Sequence, residues 1–208
     1  MKGKLISLEG CEGVGKSTQI EMLKQYLENS KCDALFLREP GGTEISEKIR
    51  DIILSIDSKN MNSRCEALLY SASRAQLIGQ VIQPALEEGK LVVCDRFIDS
   101  TFAYQGIARG LGADYITTLN EAACDGILPE LTIFLDLDPS TAFARKGGAD
   151  KNDRMEMENM DFHKRVYDGY QQAIANSNGR IISVQSKDSA YQIHKNIIEI
   201  LRQHNIIE

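Results

Sequence analysis

Short apolar runs alternate with longer amphipathic stretches along this chain. The runs are Leu5-Ile6-Ser7-Leu8, Ala34-Leu35-Phe36-Leu37, Leu91-Val92-Val93-Cys94, Leu131 to Leu137 and Ile181 to Val184. Each has strand length and is apolar at consecutive positions, the pattern of a strand covered on both faces. After the first run, Ile20, Leu23 and Leu27 recur at helical spacing. After the second, Ile45, Ile49, Ile52, Ile53 and Ile56 form a stripe that predicts a helix packed on the core. A long helix is predicted from Asn62 or Ser63 to Glu88, bent near Pro84. Further helices are predicted over about Ser100 to Arg109, Ala113 to Cys124, just after Asp138-Pro139, Met155 to Ala175, and around Ile193, Ile197, Ile200 and Leu201. Strand and helix in alternation predict an α/β fold, with a five-stranded parallel sheet, right-handed crossovers and helices on both faces. With no repeat, low-complexity run or linker, residues 1–208 are expected to form one domain.

Between the first strand and first helix lies Gly10-Cys11-Glu12-Gly13-Val14-Gly15-Lys16-Ser17. It fits the phosphate-loop pattern G-x-x-x-x-G-K-[ST], in the strand–loop–helix setting that the pattern requires. The glycines let backbone N–H groups wrap phosphate oxygens, Lys16 offers a charge to the β- and γ-phosphates, and Ser17 offers a hydroxyl to Mg²⁺. The helix that follows turns its positive end to the anion. This places the chain among P-loop NTPases, with ATP expected on Gly10 to Ser17 and Thr18. In parallel sheets ligands sit beyond the carboxyl ends of the strands. Arg38-Glu39 and Asp95-Arg96 fall at two such ends. Arg38, Arg50, Arg74 and Arg96 border ligand-side loops, and a guanidinium suits a phosphate monoester because it donates two parallel hydrogen bonds.

The formal net charge of −6 argues against a broad nucleic-acid or anionic-membrane surface. No segment approaches the roughly 20 apolar residues of a membrane span, and a cytoplasmic protein is expected. Five cysteines without a C-x-x-C pair suggest neither disulfides nor zinc. Cys11 lies near a helix N-terminus that would lower a thiol pKa, although the position tolerates many side chains. His163, His194 and His204 are expected on solvated helix faces.

Several spaced segments then carry a family resemblance. They are Glu9 to Thr18, Arg38-Glu39-Pro40-Gly41-Gly42-Thr43, Ser73-Arg74, Asp95-Arg96-Phe97 with Ser100-Thr101 and Ala103-Tyr104-Gln105-Gly106, Leu135-Asp136 with Pro139, and Asp153-Arg154-Met155-Glu156. Over essentially its whole length the chain resembles bacterial thymidylate kinases. The resemblance implies a nucleoside monophosphate kinase-like fold, and transfer of the γ-phosphoryl of ATP to dTMP with Mg²⁺. It also implies roles. Arg96 and Arg50 would clamp the dTMP phosphate, alongside Ser100. Tyr70 would stack on thymine, Arg74 would face a base carbonyl, and Thr101 with Gln105 the base edge. Tyr104 would crowd the ribose 2′ position, and Glu39 would lie near the sugar or metal. Asp95 either holds Mg²⁺ through water or is a structural carboxylate orienting its loop.

Relatives with an Arg inside the phosphate loop form one class. Glu12 places this chain in the other, in which a basic lid supplies the cation. Here the lid, about 146–154, holds few arginines. Arg145, Lys146, Lys151 and Arg154 are its candidates, and Lys lacks the fork of Arg. The family is commonly dimeric, so a homodimer is expected. A kinase for another nucleotide or for a deoxynucleoside is a competing reading, as is a non-catalytic nucleotide switch. The N/T-K-x-D motif of guanine readers does not occur.

Overall fold

The structure, a computed structural model, describes residues 3–148 and 153–208. Five parallel strands form one sheet in the order β2-β3-β1-β4-β5, with β1 (Lys4–Glu9) at its centre. β2 is Ala34–Arg38, β3 Leu91–Asp95, β4 Leu131–Asp136 and β5 Ile181–Gln185. Successive side chains on a strand point to opposite faces, and β1 and β3 each feed two cores. Ile6, Leu8 and Val93 face α1 (Lys16–Asn29), α8 (Met160–Asn176) and α9 (Ala190–Gln203). Leu5, Val92 and Cys94 face Leu77, Ile78, Ile82 and Leu86 on the opposite side. Pairing of Leu8 with Asp95 and of Glu9 with Phe134 brings the strand ends level, so the loops that follow share one edge. No helix among the described residues is long and apolar enough to cross a membrane.

Four expectations change. The long helix from Ser63 is α3 (Ser63–Leu77), a π-helical turn over Ile78–Ile82, then α4 (Gln83–Glu87). Pro84 lacks an N–H for the carbonyl four residues back, and the wider turn lies just before it, with the Gln83 N–H on the Ile78 carbonyl. The segment after Asp95 likewise starts as α5 (Ile98–Thr101) and widens into π turns over Phe102–Ala108. The helix expected from Met155 begins at Met160, where the Asn159 side chain accepts from the Phe162 N–H at 2.8 Å. The isoleucine stripe of α2 (Glu44–Leu54) is only partly core. Ile53 is buried, but Ile45 and Ile52 are about half exposed, as is Ile56 just beyond the helix. At 100° per residue Ile45 and Ile52 share one line, and Ile53 lies well round the helix from it.

The histidines also differ from expectation. His163 is fully buried, with its ring 4.5 Å from that of Phe143, and burial lowers its pKa. His194 is half-buried against Tyr26, and His204 alone of the three is exposed.

α6 (Ala113–Cys124) packs against α3 and the π segment, and α7 (Pro139–Lys146) packs against α8. α8 also packs on the Phe102–Ala108 segment, and a close approach there lies at Gly169. A Cβ there would stand 2.8 Å from the Ala103 Cα and 3.0 Å from its carbonyl oxygen. Backbone cannot yield as a side chain can, so Gly169→Ala should destabilise the fold by about 1–3 kcal/mol. Thermal unfolding should read this as a drop of several degrees, and an unchanged midpoint would contradict it.

Candidate active site

The phosphate loop is built by backbone geometry. Gly13 and Gly15 have φ of 78° and 99°, where a side chain is strained, and a Cβ on Gly13 would stand 2.4 Å from the Ala142 carbonyl. Gly15 is the N-cap of α1 and makes no side-chain cap, so the first-turn N–H groups stay available to an anion. Lys16 is buried and curls back over the loop. Its Nζ donates to the Gly10 and Cys11 carbonyls at 3.1 and 3.3 Å. Burial and the nearby Arg96 lower its pKa, while Glu12 pulls the other way. Ser17 and Thr18 are exposed in the same turn. Cys11 is no reactive thiol: it is buried, and burial pushes its pKa up to about 12. Val14 is buried beside it.

Arg96 faces this loop from the end of β3, in a left-handed conformation with φ of 70°. Its Nη1 donates to the Gly10 carbonyl at 3.0 Å, to the Tyr170 hydroxyl at 3.0 Å and to Ser100 Oγ at 3.2 Å. Its Nη2 pairs with Glu12, and its guanidinium lies over the Tyr104 ring at 5.2 Å. The Gly10 carbonyl therefore holds both Lys16 and Arg96. Burial alone would raise the Glu12 pKa, but Arg96, Lys16 and Lys146 together hold it at about 2. The Tyr104 hydroxyl also donates to Glu12, at 3.2 Å.

Behind Arg96 sits a residue that sequence reasoning passed over. Glu9 is fully buried at the end of β1. It accepts from the Phe97 N–H at 2.7 Å, from Ser100 Oγ at 2.6 Å and from the Tyr170 hydroxyl at 2.9 Å. It thus fixes the turn around Arg96 and two of the groups that Arg96 touches. Its signals in the sequence were a place at the head of the Glu9 to Thr18 segment and a carboxylate closing a largely apolar strand, since a buried charge needs partners. Tyr170, on a helix far along the chain, gave no such signal.

A cavity of roughly 210 Å³ opens between these groups. Lys16, Ser17, Asp95 and Arg96 line its phosphate-loop end, together with Glu12 and Ser100. Glu39, Arg50, Tyr70, Arg74, Thr101, Tyr104 and Gln105 line the rest. Arg50 reaches the Pro40 carbonyl at 3.0 Å. Arg74 is buried and largely committed. It donates to Glu39 at 2.8 Å, to Asn120 at 2.9 Å and to Thr101 at 3.0 Å, and stacks over Phe97. Burial raises the pKa of Glu39, against the pull of Arg74. One oxygen of Glu39 and one of Asp95 are buried with no hydrogen-bond partner among the described residues.

The lid candidates scatter. Lys146 ends α7 beside the loop, with its Cβ 3.2 Å from where a Gly13 Cβ would be, and its ammonium pairs with Glu156. Arg145 turns away to the Ser186 carbonyl at 2.8 Å. Arg154 is not brought to the phosphate loop. It is buried against Glu66 at 2.7 Å and the Ile53 carbonyl at 2.9 Å. Lys151 lies outside the described residues.

A phosphate loop on the central strand, facing an arginine-bearing cavity at the same sheet edge, defines the class: a P-loop fold of the nucleoside monophosphate kinase kind. The family model described as thymidylate kinase matches residues 8–197. A thymidylate kinase of Thermoanaerobacter sp. (strain X514) is 46% identical over 205 residues, covering 98% of this chain and 100% of the relative. One from Finegoldia magna is 44% identical over 202 residues, covering 97% and 99%. A crystal structure of thymidylate kinase from Ehrlichia chaffeensis superposes with a TM-score of 0.80 at 29% identity, covering 97% of this chain and 100% of that one. The chain belongs to the thymidylate kinase family.

Burial, then the neighbouring Asp99, raises the Glu9 pKa from 4.5 to about 7, with Arg96 opposing. The folded state then holds this proton more tightly than the unfolded chain, and the stability tied to Glu9 falls as pH rises through that window. The stability of the wild type minus that of Glu9→Gln should therefore decline from about pH 5 to about pH 8 in thermal unfolding. A flat or rising difference would refute the shift.

Proposed function

We propose that the chain transfers the γ-phosphoryl group of ATP to dTMP, and that the Gly10 carbonyl marks the junction of the two half-sites. One observation carries this reading: Lys16, the donor-side cation, and Arg96, the acceptor-side cation, bind that one oxygen. An oxygen of the dTMP phosphate bonds to the γ-phosphorus as the bond to the β–γ bridging oxygen breaks. ADP leaves with that electron pair, and dTDP forms. The acceptor is already an anion, so catalysis is in-line positioning and charge neutralisation, without a covalent intermediate. The first-turn N–H groups of α1 and Lys16 hold the donor phosphates. Arg96 has N–H groups beyond those its present partners use, and Arg50 stands on the same cavity. Tyr70 offers a stacking face to the base, Arg74, Thr101 and Gln105 offer polar groups to its edge, and Tyr104 closes the sugar end.

The residues fit Mg²⁺. Among the described residues, one buried oxygen of Asp95 has no hydrogen-bond partner, and Ser17 is exposed on the same cavity. Mg²⁺ characteristically takes one or two protein oxygens and fills its remaining positions with phosphate and water. When bound it would neutralise phosphate charge and fix the phosphate geometry.

Residues 146–154 serve as a lid, and Lys146 supplies its cation, since it alone among the described candidates stands beside the loop. A reducing cytoplasm suits five unpaired cysteines. Steady-state assays with dTMP, dCMP and thymidine as acceptors should show dTMP preferred, and no preference for dTMP would sink the assignment. In the same assay Lys146→Ala should lower kcat for dTMP by about tenfold or more. An unchanged kcat would remove Lys146 from the role.

Two copies associate through α2 and α3, which carry the exposed apolar side chains Ile45, Ile52 and Leu68. Sedimentation should find a dimer in the wild type and a monomer in Ile52→Lys. A monomeric wild type would overturn this association.

A further inference from the structure

Glu66 lies outside the catalytic machinery described above, yet it is among the most heavily hydrogen-bonded side chains of the molecule. It sits on α3, one helical turn before Tyr70, and is buried. Oε1 accepts from Gln105 Nε2 at 2.9 Å and from Arg109 Nε at 3.0 Å. Oε2 accepts from Arg109 Nη2 at 3.1 Å and from Arg154 Nη1 at 2.7 Å. Burial would push its pKa up, but hydrogen bonds and charge from Arg109, with Gln105 and Arg154 adding, hold it below the usual value. It is therefore an ionised carboxylate, which can only accept.

That fixes the orientation of one amide. The group that Gln105 turns to Glu66 must be its NH₂, because two acceptors would repel. The carbonyl Oε1 is then the end of Gln105 left for the cavity it lines, and among the described residues it accepts no hydrogen bond. Thymine presents an acceptor at O4 beside a donor at N3–H. Cytosine presents the reverse, an amino donor beside an acceptor at N3. A donor-only guanidinium at Arg74 and an acceptor at Gln105 match thymine and oppose cytosine.

We propose that Glu66 is a specificity-determining positioning residue: by binding the amide NH₂ of Gln105 it presents a carbonyl to the base and so selects thymine or uracil over cytosine. The proposal rests on Gln105 reading the base edge. Glu66 also anchors Arg154, at the end of the proposed lid segment, and Arg154 in turn bonds the Ile53 carbonyl in the last turn of α2. One carboxylate thus joins the base-reading amide to the C-terminal root of the lid.

The test is kcat/KM for dTMP, dCMP and dUMP at saturating ATP in the wild type, Glu66→Gln, Gln105→Ala and the double variant. Glu66→Gln should shrink the dTMP-to-dCMP ratio by about tenfold, because the amide is freed to turn over. The dTMP-to-dUMP ratio should stay put, since the two bases share that edge, whereas general distortion of the pocket would move both ratios. In the Gln105→Ala background, Glu66→Gln should cause no further loss of dTMP-over-dCMP preference. If Gln105→Ala loses the preference and Glu66→Gln keeps it, the link through Glu66 is wrong. If the two losses add, Glu66 acts by another route and the proposal falls. If Gln105→Ala itself keeps the preference, the base-reading role fails and takes the proposal with it. Glu66→Asp keeps the charge that Arg109 and Arg154 need while drawing back from Gln105. It should show the same direction of change should Glu66→Gln not fold, and an unchanged ratio in that variant would equally overturn the proposal.

Discussion

Burying a carboxylate in a protein interior is unfavourable unless donors surround it, and the end of the central strand takes that cost on at Glu9. Its three donors are the Phe97 amide, Ser100 and Tyr170, and the last two also touch Arg96. The guanidinium is in turn held from the front by Glu12 and the Gly10 carbonyl. In the proposed role of Arg96, a side chain that must meet a phosphate in one geometry is thereby fixed from both sides beforehand. This is preorganisation in the physical sense: the ordering is done in folding rather than at the moment of binding. It also explains how a non-glycine residue can hold the left-handed backbone seen at Arg96.

The order β2-β3-β1-β4-β5 sets everything else around that point. β1 delivers the phosphate loop, and its neighbour β3 delivers Asp95 and Arg96 one strand spacing away. Register pairing of Leu8 with Asp95 puts the two strand ends level. The phosphate loop and Arg96 meet because two parallel strands end together, and the helix N-terminus after the loop adds its partial positive charge to the same place.

Cations in the lid region are handled differently from those in the loop. Arg145 and Arg154 are both spent on structure, on the Ser186 carbonyl and on Glu66 with the Ile53 carbonyl. Glu12 adds a negative charge between Lys16 and Arg96, and its strongly depressed pKa shows how much positive charge already surrounds it. The loop is thus not short of cations in the way its Glu suggests when read alone. Arg96 and Lys16 share the compensation, and Lys146 contributes from α7.

Local pattern alone determined the strands, the phosphate loop and the parallel sheet, because these depend on near neighbours and fixed spacing; the family came from the resemblance of several segments spread along the chain. The Gly10 to Ser17 spacing names its own chemistry, and an apolar run has few other places to go. Helix ends and faces were less certain. Met155 and Ile52 satisfy a helical or amphipathic pattern, but the Asn159 cap and the face that α2 turns inward decided where the helix starts and which isoleucines are buried. The site divides in the same way. Lys16 and Arg96 could be found from sequence because Lys16 closes a loop of fixed spacing and Arg96 follows a strand directly. Glu9, Tyr170 and Glu66 act through partners 39 to 161 positions away. Only the tertiary structure could assemble them, since a hydrogen bond between distant residues leaves no periodicity in the chain.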